Sequence, residues 1–195
     1  MALALDLAAT VGHDGHGGIA DSFADDAGVT AWLHRTAPQV TELVGHPVDL
    51  PGPASVRPAL IDLRVVVRNL FARAIRPAPP TKVEIADPLE PGTALQRLNR
   101  IADQLGTPQL TWPDDDPAPA VTWSARTSDP VLLLTGAVAR STIDFLTGPD
   151  LARLRACPAA RCVRYFLQTD PRQTWCSPAC GNRERVNRHY RKRTT

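Results

Sequence analysis

From Ser55 to Ile75 the apolar residues Val56, Leu60, Leu63, Val67, Leu70, Phe71 and Ile75 return every three or four positions, and Arg57, Asp62, Arg64 and Arg68 lie largely off that stripe. This period predicts a helix with one apolar face, ended by Pro77, Pro79 and Pro80. DDAGVTAWLHRTA reads as another amphipathic helix carrying Trp32 and Leu33; a third spans Gly92 to Leu105, a long one Asp129 to Leu146 and a short one Pro149 to Ala156. QLTW and AVTWSAR flank the acidic, proline-rich PDDDPAPA and predict a short hairpin. No internal repeat is evident.

The pattern changes near the end of the chain. Val163, Tyr165 and Leu167 alternate with Arg164, Phe166 and Gln168, and Thr169, Asp170 and Pro171 supply turn chemistry, so VRYFLQTDPRQTW reads as two extended runs around a turn. Ser177 and Pro178 make an N-cap and first-turn pair for a last helix. On it Ala179, Asn182, Val186 and Tyr190 are expected to face inward, while Arg185, Arg188, His189 and Lys192, continued by Arg191 and Arg193, form a basic stripe.

At 195 residues and 43% apolar composition the chain is long enough for one ordinary core and a small appended module. Residues 1 to 17 lack the basic start and cleavage pattern of a signal peptide, and the longest apolar run, PVLLLTGAVARSTIDFL, is broken by Arg140 and Asp144. A cytoplasmic protein with reduced thiols and no membrane partner is expected. Net charge is only +2, but from Arg153 onward 11 basic residues face two acids. The rest of the chain carries 11 basic and 18 acidic side chains. This asymmetry suggests an anionic partner, nucleic acid above all, for the basic part.

All four cysteines lie there. Cys157 and Cys162 bracket PAAR, Cys176 and Cys180 bracket SPA, and thirteen residues separate the pairs. Four thiolates can close a tetrahedral shell around one structural zinc ion. Disulfides or unrelated thiols are the alternatives; a reducing compartment disfavours the former and the clustering the latter. A module of this size also needs a staple. The layout expected is a knuckle, a hairpin and a helix whose first turn brings the last thiolates, which is treble-clef-like.

Cys180-Gly181-Asn182-Arg183, preceded by Trp175-Cys176-Ser177 and the Tyr165-Phe166-Leu167 strand, resembles the CGNR zinc finger. In that family the finger follows an N-terminal domain called ABATE, and the proteins are described as stress-induced transcription regulators. Members often open on an LDFVNT-like segment; here LDLAAT keeps Asp6 and Thr10 and lacks the asparagine, and Gln168 stands where an acidic residue is common. The resemblance implies an ABATE-like regulatory domain over 1–152 and a four-cysteine finger with a basic helix over 153–195. The expected class is α+β, mainly helical: a helical domain with a short hairpin, then the small finger. Gly181, Asn182 and Arg183 are expected to serve the fold beside the metal, with Arg183 reaching knuckle carbonyls.

No phosphate loop, HExxH or GxSxG occurs, so no enzyme is expected. His13-Asp14-Gly15-His16 could ligate a metal, although a polar loop is the plainer reading, and Trp32, Trp112 and Trp123 are expected in the core rather than in a ligand pocket. The function expected is zinc-dependent binding of nucleic acid, double-stranded DNA first, by a transcription regulator whose larger domain senses a small molecule or forms homo-oligomers. RNA binding, with Tyr165 and Phe166 stacking on bases, and a zinc-stabilised protein interaction module are the alternatives.

Overall fold

The computed structural model describes residues 2–15, 18–112, 114 and 118–193, residues 188–193 through their backbone alone. The chain is α+β and mainly helical. Two helices make the centre: α3 (Pro53–Ala74) buries Val56, Leu60, Leu63, Val67, Leu70 and Phe71, the expected stripe, and α6 (Pro130–Thr147) lies against it. Around them pack α1 (Leu3–Ala8), α2 (Asp26–Val44) and α5 (Pro91–Ala102). Small side chains on α6 allow close approach, since a Cβ on Gly136 would come within 3.1 Å of Leu105. Polar residues cap the helices where the sequence offers them: Asp25 accepts from Gly28 N, Glu90 from Thr93 N and Asp129 from Val131 N.

Three antiparallel two-stranded ribbons accompany the helices. The first pairs β1 (Val11–His13) with β2 (Ile19–Asp21), and the second pairs β3 (Thr107–Thr111) with β4 (Ala120–Ser124), the expected hairpin. The third pairs β5 (Leu154–Ala156) with β6 (Tyr165–Leu167) in the register Leu154↔Leu167, Arg155↔Phe166, Ala156↔Tyr165. α7 (Pro178–Arg193) closes the described chain.

Several expectations are corrected. Pro149–Ala156 is not a helix; a 3-10 turn over Pro149–Arg153 leads into β5. The partner of β6 is therefore the segment before the first cysteine, not the run ending at Trp175. That run is folded into a polar turn, where Gln173 Oε1 accepts from Thr169 N and Asp170 accepts from Arg172 N. α1 and α4 (Lys82–Ala86) were not anticipated, because elements of six and five residues are too short to display a helical period. Arg64 and Arg68 are buried despite lying off the apolar stripe, each held by an acid. Among the described residues α6 alone has the length and apolarity to cross a membrane, half of it buried inside the fold; Arg140 and Asp144 pair on its surface at 3.1 Å.

Candidate metal centre and basic helix

The turn of the β5–β6 ribbon is the first knuckle. Cys157 N donates to Arg164 O at 2.9 Å and Cys162 N to Ala159 O at 2.9 Å, with Arg161 in the left-handed region at φ 70°. α7 starts between the other two cysteines. The four Sγ atoms consequently lie within 4.8 Å of one another. Cys162 to Cys176 measures 3.7 Å and Cys176 to Cys180 3.6 Å. Those are not disulfide lengths, and all four thiols are free. A tetrahedron with Zn–S bonds of about 2.3 Å has edges of about 3.8 Å, so the donor set fits one zinc ion.

Three of these thiols are linked through their hydrogen bonds. Hydrogen bonds from Cys162 and Cys176 hold Cys157 well below the usual thiol range, whereas the same contacts push Cys162 and Cys176 up. A structural zinc ion takes thiolate ligands, so binding the metal releases protons from the site.

The surroundings orient the ligands. Cys176 N donates to Cys157 Sγ at 3.5 Å and Arg183 Nη2 to Cys180 Sγ at 3.1 Å. Glu184 accepts from Ala160 N at 2.7 Å and so pins α7 to the knuckle. Gly181 lies under Trp175, where a Cβ would meet Cδ1 at 2.8 Å. The inward face of α7 therefore runs through Cys180, Gly181 and Glu184. Ala179, Asn182 and Val186 are exposed, which corrects the expected stripe by about one residue; Tyr190 lies outside the described side chains. The three cysteine-adjacent positions differ in role: Gly181 makes room for the indole, Arg183 reaches a ligand sulfur instead of carbonyls, and Asn182 faces solvent.

Arg185 is exposed on α7. The side chains of Arg188, His189, Arg191, Lys192 and Arg193 lie outside the described residues, although their backbone continues the helix.

The finger is keyed into the helical domain. Tyr165 is 5% exposed, stacks edge-on against Phe71 and donates to Glu84 Oε2 at 2.8 Å. Arg68, 2% exposed, joins both regions: its guanidinium donates to Glu84 at 2.7 Å, Ala8 O at 2.8 Å, Thr81 Oγ1 at 3.2 Å and Val163 O at 2.8 Å. A second bridge runs from Arg183 Nη1 to the His13 ring, 3.0 Å from Nε2. Burial, followed by the charges of Arg183 and Arg164, lowers the His13 pKa, which favours a neutral ring. His13 thus contacts the finger from the end of β1; His16 lies outside the described residues. Trp32 is buried in the core as expected, Trp123 is partly buried, and Trp112 is 61% exposed.

The sequence reading missed the roles of Glu184, Arg68 and Glu84, and it weighed His13 as a metal ligand or loop residue and not as a contact of the finger. Glu184 carried a signal as one of two acids in the basic segment. The pairing of His13 with Arg183, 170 positions apart, carried none.

A family model, ABATE, described as "Putative stress-induced transcription regulator", matches residues 1–149, and the CGNR zinc finger model matches residues 153–193. No curated protein matches the chain.

Proposed function

Because this chain belongs to the ABATE family and ends in a CGNR zinc finger, we propose that it is a non-catalytic, cytoplasmic transcription regulator that grips double-stranded DNA through α7. In this reading residues 1–152 form a regulatory unit that senses a small molecule or assembles copies of the chain, and residues 153–195 form the DNA-binding unit. Zinc on Cys157, Cys162, Cys176 and Cys180 fixes the first turn of α7; Arg185, Arg188, His189, Arg191, Lys192 and Arg193 follow along the same helix. The observation that carries the proposal is this anchoring. A basic helix clamped at its start, through ligand sulfurs and Glu184, can meet phosphates without ordering a loose tail.

Stacking on single-stranded bases has less support, since Tyr165 is buried against Phe71 and Phe166 packs beside the cysteines. Binding of duplex DNA, duplex RNA and single strands across a salt series tests the proposal. Duplex DNA should bind with a steep salt dependence, each neutralised phosphate contributing about −0.9 to the slope of log affinity against log salt. A combined Arg185→Ala, Arg188→Ala, Lys192→Ala variant should keep its zinc and flatten that slope by about two to three units. Unchanged affinity would remove α7 from the interface, and failure of every nucleic acid at low salt would favour a protein partner.

A further inference from the structure

We propose that the cleft between the C-terminal half of α3, α4 and the start of α5 binds a small carboxylic acid with an apolar body, aromatic acids foremost. The cleft measures ≈ 440 Å³, a size that suits a small-molecule ligand. Leu70, Leu89, Ala94 and the rings of Pro80, Pro88 and Pro91 line it. They offer flat apolar walls that need no ordering on binding, because proline and a helix-anchored alanine have little conformational freedom to lose.

The polar groups are arranged along one side. Asn69 and Arg73 are one turn apart on α3, and Arg76 follows in the turn just after the helix, where its N–H donates to Arg73 O; all three line the cleft. Asn69 is a strut: its Oδ1 accepts from Leu89 N at 2.8 Å and its Nδ2 donates to Val65 O at 3.0 Å, which ties the proline wall to α3. Arg73 and Arg76 are exposed, and among the described residues neither makes an ion pair.

Two acids also line the cleft, and both are already engaged. Glu84, at the floor, is matched by Arg68 at 2.7 Å and accepts from Thr81 and Tyr165. Glu90 caps α5; the N–H groups of Gly92 and Thr93 lower its pKa, with a smaller contribution from Arg73. The cleft is left with an excess of positive charge at its rim and apolar surface within. A guanidinium presents a planar fork that matches a carboxylate, and two of them lining one cleft select an anion over its neutral isostere. An inorganic anion would leave the proline walls wet, and a neutral apolar molecule would leave the guanidinium forks unused.

The position of the cleft gives binding a consequence. Its floor residue Glu84 accepts the hydroxyl of Tyr165 from finger strand β6, so a ligand wedged between α3 and α4 bears on the contact that docks the finger. This deepens the sensing role proposed above and rests on that reading only for the coupling to DNA; occupancy of the cleft is measured separately.

The experiment titrates the full-length, zinc-loaded protein with benzoate, cinnamate and indole-3-acetate, and with cinnamamide as the neutral control, following backbone amide shifts. At least one acid should saturate shifts at Ala72–Arg76 and Leu89–Ala94. Cinnamamide, and cinnamate on an Arg73→Gln, Arg76→Gln variant of unchanged zinc content and thermal midpoint, should bind about tenfold or more weakly, as expected for loss of charge-assisted hydrogen bonds. Absence of saturation by every acid to about 10 mM, equal binding of acid and amide, or an unaffected double variant would each overturn the site. Saturation with unchanged DNA affinity would leave the site standing and remove its coupling to the finger.

Discussion

Around α3 and α6 the helical domain buries Leu60, Leu63, Val66, Val67, Phe71, Leu134 and Val138 at 0% exposure. In the finger the separate buried cluster consists of Cys157, Ala159, Cys162 and Cys180. Of the finger's other buried apolar residues, Leu154 and Tyr165 on the β5–β6 ribbon belong to the larger core instead. One region is held by area removed from water, about 25 cal/mol per Å² of apolar surface. The other divides itself: its ribbon is a wedge in the neighbouring core, and its knuckle and helix depend on four sulfurs. The seam between these modes is polar and buried, with Arg68 bonded to both sides.

Removing the staple has the largest expected effect and tests the division directly. A structural zinc supplies about 10 to 16 kcal/mol in small fingers. Cys180→Ala should abolish stoichiometric zinc and melt α7 and the knuckle, while the helical domain, with β5–β6 still wedged in it, keeps a cooperative thermal transition. Zinc analysis with far-UV circular dichroism reads both. Loss of all helix in one step would mean that the two regions are a single cooperative unit.

The seam comes next. Arg68→Ala leaves Glu84 as a buried charge without its cation and strips donors from Ala8 O and Val163 O, a loss of about 3 to 5 kcal/mol. Tyr165→Phe removes one hydrogen bond to the same carboxylate and keeps the ring against Phe71, which should cost about 1.5 to 3 kcal/mol. Burial, then the charge of Glu84, raises the Tyr165 pKa, so its hydroxyl stays protonated and donates. Urea unfolding of the pair, alone and combined, gives their coupling. Additive effects would show that Arg68 and Tyr165 do not act through Glu84.

What the sequence made legible follows the same division. The α3 stripe, the α6 run and the β3–β4 hairpin were readable because long, amphipathic or cleanly alternating segments carry their own period. The four ligands were readable because their spacing is itself the chemical signal. The β5 strand was not: Leu154-Arg155-Ala156 has good helix formers, and its strand conformation is imposed by pairing with Tyr165–Leu167. The inward face of α7 was misjudged because Cys180 and Glu184, not apolar residues, define it. The seam was illegible for a related reason: nothing local marks an arginine at position 68 as buried when its partners are 13, 16, 60 and 95 residues away.

The smallest expected effect concerns how the helical domain presents β1, and so His13, to the finger. Asp21 on β2 accepts from Arg64 Nη1 and Nη2, both at 2.6 Å, and from Phe23 N at 2.8 Å, while Arg64 also reaches Thr10 Oγ1 at 2.8 Å. Burial alone would raise the Asp21 pKa; the Arg64 hydrogen bonds, the Phe23 N–H and the guanidinium charge outweigh it, so the value falls below the ordinary 3.8. A carboxyl with a depressed folded pKa binds protons more readily when unfolded. Its stabilisation is therefore fully present above pH 3.8 and is lost as pH falls through the lowered value. The difference in urea stability between the wild type and Asp21→Asn should stay level from pH 7 to about 3.8 and then narrow as pH falls toward the lowered value. In the same series the Arg183–His13 contact, followed by the His13 ring resonances, should weaken in the asparagine variant already at neutral pH, because the β1–β2 ribbon has lost its anionic anchor to α3. A pH-independent difference would mean that Asp21 acts through shape alone, and undisturbed His13 resonances would mean that the finger holds the ribbon in place rather than the reverse.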